Sequence, residues 1–143
     1  MMRKVFWAAL ATVLLGACAT KPVTDLAASN APAQRVYAHQ LDVTGGALLV
    51  VTRDAGFSGS ACSVAVLIDG VVAATLEQGE RVSFHLPAGE AILGIRQAGS
   101  KLCGLAEDRM RRETSVSLPA GATKKYRIGI GASGEPFVAP TTY

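Results

Sequence analysis

Histidine is scarce in this sequence. Only His39 and His85 carry imidazoles among 143 residues. No carboxylates cluster beside them, so the sequence offers no ligand set for a metal and implies no cofactor. Cysteine is scarce too, at three residues, and no two of them form a Cys-x-x-Cys pair. That excludes the common zinc and dithiol redox motifs. No stretch shows convincing helical periodicity. Excess positive charge is also missing. The formal charge of +3 includes Arg3 and Lys4 at the extreme N-terminus. Without those two the remainder is close to neutral, and a nucleic-acid partner is not expected. The longest apolar run, residues 5–15, is too short to cross a bilayer.

Two sequence patterns imitate catalytic motifs and fail on context. Gly129-Ile130-Gly131-Ala132-Ser133-Gly134 matches the dinucleotide-binding glycine spacing. That chemistry needs a helix N-terminus behind the glycines, and two prolines stand in residues 135–143 instead. Gly56-Phe57-Ser58-Gly59-Ser60 falls one residue short of a nucleophile elbow and lies in a loop.

What is present begins with Arg3 and Lys4 ahead of the apolar run 5–15. A charged start and a short apolar core are the parts of a secretory signal. Leu15-Gly16-Ala17-Cys18 then resembles the lipobox of bacterial lipoproteins. The resemblance implies cleavage before Cys18 and lipidation of that cysteine. Acyl chains on one residue make a stable anchor, because each buried methylene contributes about 0.8 kcal/mol. Ala19 follows the cysteine where Gram-negative inner-membrane lipoproteins carry Asp. That implies the outer membrane of a Gram-negative cell envelope. Residues 1–17 are therefore expected as the signal peptide. Residues 18–34, rich in Ala, Thr, Ser and Pro, are expected as a lipidated flexible tether. Residues 35–143 are the expected folded domain.

Cys62 and Cys103 remain. An exported compartment permits disulfides, and two leftover thiols read as one bridge. It would close a loop of about 40 residues and contribute roughly 4 kcal/mol.

The domain itself is organised around residues 63–96, read as a β-meander. Asp69-Gly70 separates two apolar runs and suits a type I′ hairpin turn, which needs positive φ at both positions. Val82, Phe84 and Leu86 alternate with Arg81, Ser83 and His85, the signature of a strand with one face buried. Pro87 ends that strand, and residues 91–95 run back. Leu-Pro-Ala-Gly recurs at 86–89 and 118–121, read as two similar hairpins. Strands are also expected near residues 36–38, 47–53, 113–118, 124–130 and 135–139. The total is about seven to eight short strands, which predicts an all-β fold, an antiparallel sandwich.

Residues 53–96 carry a further resemblance. Ile68-Asp69-Gly70 followed by Leu86-Pro87-Ala88-Gly89-Glu90 is similar to a group of small uncharacterised bacterial lipoproteins. More loosely it is similar to PEGA-type and transthyretin-like β-sandwich modules, and the expected sandwich is immunoglobulin- or transthyretin-like. The resemblance implies a fold and brings no catalytic residues.

Arg109, Arg111 and Arg112 form a basic run, with Lys124, Lys125 and Arg127 across the second Leu-Pro-Ala-Gly turn. If the flanking strands pair, the six would form a patch for anionic lipid or an acidic partner. The same residues would otherwise serve as solvated edge charges. Phe57 is the one aromatic in the loop 54–61, a candidate binding loop. The leading expectation is a non-enzymatic, lipid-anchored envelope protein that meets an envelope protein or glycan. The alternatives are a small envelope-polymer hydrolase using His85, Asp54 or Glu107, and an inhibitor of an envelope-targeting enzyme.

Overall fold

The computed structural model describes residues 19–56, 61–99, 103 and 108–143. Cys18, Phe57 and Glu107 lie outside them. Among the described residues nine short strands form two sheets. They are β1 (Ser29–Asn30), β2 (Ala47–Arg53), β3 (Val64–Ile68), β4 (Val71–Leu76), β5 (Glu80–Leu86), β6 (Gly89–Gln97), β7 (Arg112–Leu118), β8 (Thr123–Ile130) and β9 (Pro136–Pro140). One sheet has the order β1-β5-β2-β8-β9 and the other β4-β3-β6-β7. Phe84, Leu49, Leu76, Leu93, Leu118, Ile128 and Val51 are fully buried between them. The architecture is an all-β sandwich.

Local chemistry explains the elements. Asp69 and Gly70 have φ of +49° and +82°, so the β3–β4 turn takes the doubly left-handed form that Asp-Gly favours. A bulge follows between Val66 and Leu67, which leaves Ala73 without a ladder partner. Its carbonyl accepts the Tyr37 N–H instead. Along β5, Val82, Phe84 and Leu86 are buried while Ser83 and His85 are half-buried, as the alternation requires.

Three expectations are corrected. The first is the meander. β3 and β4 form a hairpin, but β5 crosses to the other sheet and pairs with β2, and β6 returns to pair with β3. The two Leu-Pro-Ala-Gly segments are likewise not hairpins. Each carries the chain from one sheet to the other, β5 to β6 and β7 to β8. Leu86 and Leu118 are buried at the departure points, and Gly89 and Gly121 take positive φ after the exposed prolines. The second is the antiparallel rule. The four-stranded sheet obeys it, but β2 pairs β8 in parallel and β1 pairs β5 in parallel. A strand that leaves its sheet and returns later can do so in either direction. At residues 36–38 the expected strand is reduced to one bridge, Val36 to Ala74.

The third correction concerns the tether. From Ala19 onward it is a strap bound to the five-stranded sheet. The Lys21 and Ala55 backbones exchange hydrogen bonds, and Ser29 and Asn30 pair with Glu80 and Arg81. Between them Asp25 reaches Lys125 and Arg81, which flank the outer face of β2. Val50 and Thr52 are buried on that face. The folded body therefore starts well before residue 35.

The strap ends on an ion pair. Arg35, closing a 3-10 turn at Ala33–Arg35, donates twice to the Glu80 carboxylate, at 2.7 and 2.5 Å, and once to the Thr75 carbonyl. The Glu80 bond raises the Arg35 pKa, outweighing its loss of solvation. Burial works against the Glu80 carboxylate, but the Arg35 bond, the Glu77 N–H and nearby positive charge outweigh it and hold its pKa below the usual carboxylate range. A depressed carboxylate stabilises the fold above its unfolded pKa and loses that contribution as pH falls through the folded value. Stability is expected to drop as pH falls below about 4. Glu80→Gln is expected to cost about 1–2 kcal/mol at neutral pH and to flatten that acid limb. Urea unfolding midpoints at a series of pH values check both.

Candidate functional site

The functional residues gather at one end of the sandwich, where β2, β6 and β8 finish and β3 begins. Cys62 and Cys103 are bonded there, with Cα atoms 5.6 Å apart. Cys62 precedes β3 and Cys103 follows β6, and Val64 and Gln97 pair beside them. The bridge staples the open end of that strand pair.

Arg53 occupies the same end. Leu49 and Val51 point inward along β2, so the pleat also turns Arg53 inward. Its side chain crosses to the other sheet and donates to the Leu76 carbonyl at 2.8 Å. Burial lowers its pKa, with Glu77 and Glu80 opposing. A guanidinium remains charged under any such shift in ordinary buffer. Thr20, Arg53, Cys62, Val64, Ile95 and Met110 help line a cavity of about 280 Å³ at this end.

On the outer face of β8 the strap is clamped. Thr20 N–H donates to the Ile130 carbonyl at 2.9 Å, and Ile130 N–H donates to Thr20 Oγ1 at 2.9 Å. Thr20 Oγ1 also lies 3.3 Å from Asp54 Oδ2. Asp54 is almost wholly buried and accepts from Arg127 Nη2 at 2.7 Å. Arg127 stacks over Phe137, 4.9 Å from the ring centroid. Asp54 Oδ1 and Arg127 Nε are buried with no hydrogen-bond partner among the described residues. Gly129 makes room for all of this. A Cβ there would meet Thr20 Oγ1 at 2.3 Å, Asp54 Oδ2 at 2.9 Å and Phe137 Cζ at 3.0 Å. A glycine inside a strand signals such a close approach. It was the one sign in the sequence of a clamp built from Thr20, Asp54, Arg127 and Gly129.

No family model, no curated protein and no solved structure matches this chain. Its chemistry rests on its own residues.

The six-residue basic patch does not assemble. β7 and β8 lie in different sheets and do not pair. Arg112 sits opposite Ile95 near the disulfide, whereas Lys124 sits opposite Leu49 toward the Leu-Pro-Ala-Gly end. Arg111 pairs with Glu113, Lys125 with Asp25 and Arg127 with Asp54. Arg109 and Arg112 are exposed. The acids that neutralise Lys125 and Arg127 come from the strap and from the end of β2, far away in sequence.

His85 lies at the opposite end, where Nδ1 is 2.8 Å from Asp42 Oδ1. Both border a depression of about 250 Å³ with Thr123. No hydroxyl bonds to His85 among the described residues, so no nucleophile and base are joined there. The described residues also hold no group of three His, Cys, Asp or Glu side chains placed to bind a metal.

Proposed function

We propose that the chain is a lipid-anchored protein of the bacterial cell envelope, held through Cys18 and acting by binding or structural support. The observation that carries this reading is the pairing of the cysteines. Of three in the chain, Cys62 and Cys103 bond to each other. Cys18, the last residue of Leu15-Gly16-Ala17-Cys18, is left for modification. A structural disulfide also suits an oxidising compartment outside the cytoplasm, where lipoproteins mature.

The resemblance to small bacterial lipoproteins supports the same reading. A transthyretin-like or immunoglobulin-like module of this generic two-sheet sandwich belongs to the same reading. The envelope partner is a protein or a glycan, and the outer membrane is the expected site.

Mass spectrometry of the protein purified from membranes tests this. The expected mature chain starts at Cys18 and carries acyl groups there. Cys18→Ser is expected to abolish acylation and to release the protein from the membrane fraction. A mature chain that starts elsewhere and carries no lipid would sink the proposal.

A further inference from the structure

We propose that the disulfide end of the sandwich lies directly against the bilayer, with the Leu-Pro-Ala-Gly end pointing away. This rests on the lipidated Cys18 of the proposed function and adds an orientation to it. A flexible tether would leave the body free to tumble above the membrane. The clamp removes that freedom.

Thr20 is two residues after Cys18. Two residues of extended chain reach at most about 7 Å. The acyl chains of a lipidated cysteine enter the bilayer, so the residue itself stays at the headgroup boundary. Thr20 is bonded to Ile130 in both directions, and Lys21 is bonded in both directions to Ala55. Thr20 and Lys21 are therefore fixed to the ends of β8 and β2. An anchor this close to two fixed points brings that end of the body to the headgroups.

The surface there suits the position. Lys21, Arg109 and Arg112 are exposed at this end, where anionic headgroups attract them within a screening length of about 8–10 Å. Asp108 and Glu135 are exposed as well, so the short covalent link sets the orientation and charge only favours it. The far end carries the exposed side chains of Leu41, Val43, Val71 and Ile92. With strands of seven residues, it stands about 20 Å farther from the lipid. A protein partner in the envelope space meets that end first.

The test uses the lipidated, full-length protein. Its one tryptophan, Trp7, belongs to the segment removed before Cys18. Ala132→Trp and Ala120→Trp therefore place single reporters on exposed turns at the two ends. Each protein is first shown by mass spectrometry to be acylated. It is then reconstituted into phospholipid vesicles whose acyl chains are brominated near the headgroup. Ala132→Trp fluorescence is expected to be quenched by about twofold and Ala120→Trp to be unaffected, because the bromines lie within the bilayer boundary. Inserting a flexible Gly/Ser linker of about ten residues between Ala19 and Thr20 is expected to erase the difference. Equal or reversed quenching in acylated protein overturns the orientation and leaves the lipoprotein reading intact. A difference that survives the linker overturns the role of the clamp. Protein found without acyl groups overturns both.

Discussion

Replacing Cys62 and Cys103 together by serine is expected to lower the unfolding free energy by about 4 kcal/mol. The bond spans 41 residues of sequence. Within that span the chain makes the β3–β4 hairpin, crosses to the other sheet as β5 and returns as β6. Without the bond, the unfolded chain regains the freedom of that whole loop. The native state also loses its tie at the open end of β3 and β6. Urea unfolding of the mature protein, with and without reductant, measures the loss. A change below about 1 kcal/mol would mean that the staple adds little beyond the paired strands.

Gly129→Val is expected to cost about 3 kcal/mol, most of it by expelling the strap. The new Cβ would stand 2.3 Å from Thr20 Oγ1, and Asp54 and Phe137 crowd it from two further sides. Asp54 is buried and bound to Arg127, and the Phe137 ring is held under the same Arg127 guanidinium. Thr20 is the neighbour free to leave. Its departure breaks the paired bonds to Ile130 and frees the strap around it. Because Pro22 follows Lys21 and blocks trypsin there, the test uses proteinase K, which is expected to trim the variant's strap around residues 19–25 while the rest of the sandwich stays intact. Thr20→Gly should restore part of the loss in the double variant, a non-additivity that an unrelated packing defect would not show.

The parts of the fold legible in the sequence are those set by neighbours in the chain. Asp69-Gly70 announced its turn because two adjacent residues needed positive φ. Val82, Phe84 and Leu86 announced a buried face because a strand repeats every two residues. Cys62 and Cys103 were legible by elimination. Which sheet a strand joins is a different kind of fact. Pro87 and Gly89 mark where the chain turns, and the same residues serve a hairpin or a crossing between sheets. The choice is made by partners distant in sequence, such as Leu118 beside Gly89. The strap was hidden for a related reason. Part of its hold on the body comes from the backbone groups of Thr20, Lys21 and Ser29, which composition does not record. The clamp was hidden most deeply. Arg127 and Asp54 lie 73 residues apart, and Lys125 and Asp25 lie 100 apart. A run of basic residues in sequence looked like a patch because its neutralising acids were out of view.

The clamp also changes what the proposed anchor at Cys18 would do. A lipidated residue followed by a free chain fixes only location. One followed at once by Thr20 and Lys21, both locked to the sheet, fixes location and attitude together. Amide hydrogen exchange on the mature lipidated protein tests this most directly. The Thr20 and Lys21 N–H groups, bonded to Ile130 and Ala55, should exchange as slowly as those of Ser29 and Ala31 on the β5 edge. Exchange at the rate of an unstructured chain would contradict the clamp, and with it the fixed attitude of the body on the membrane.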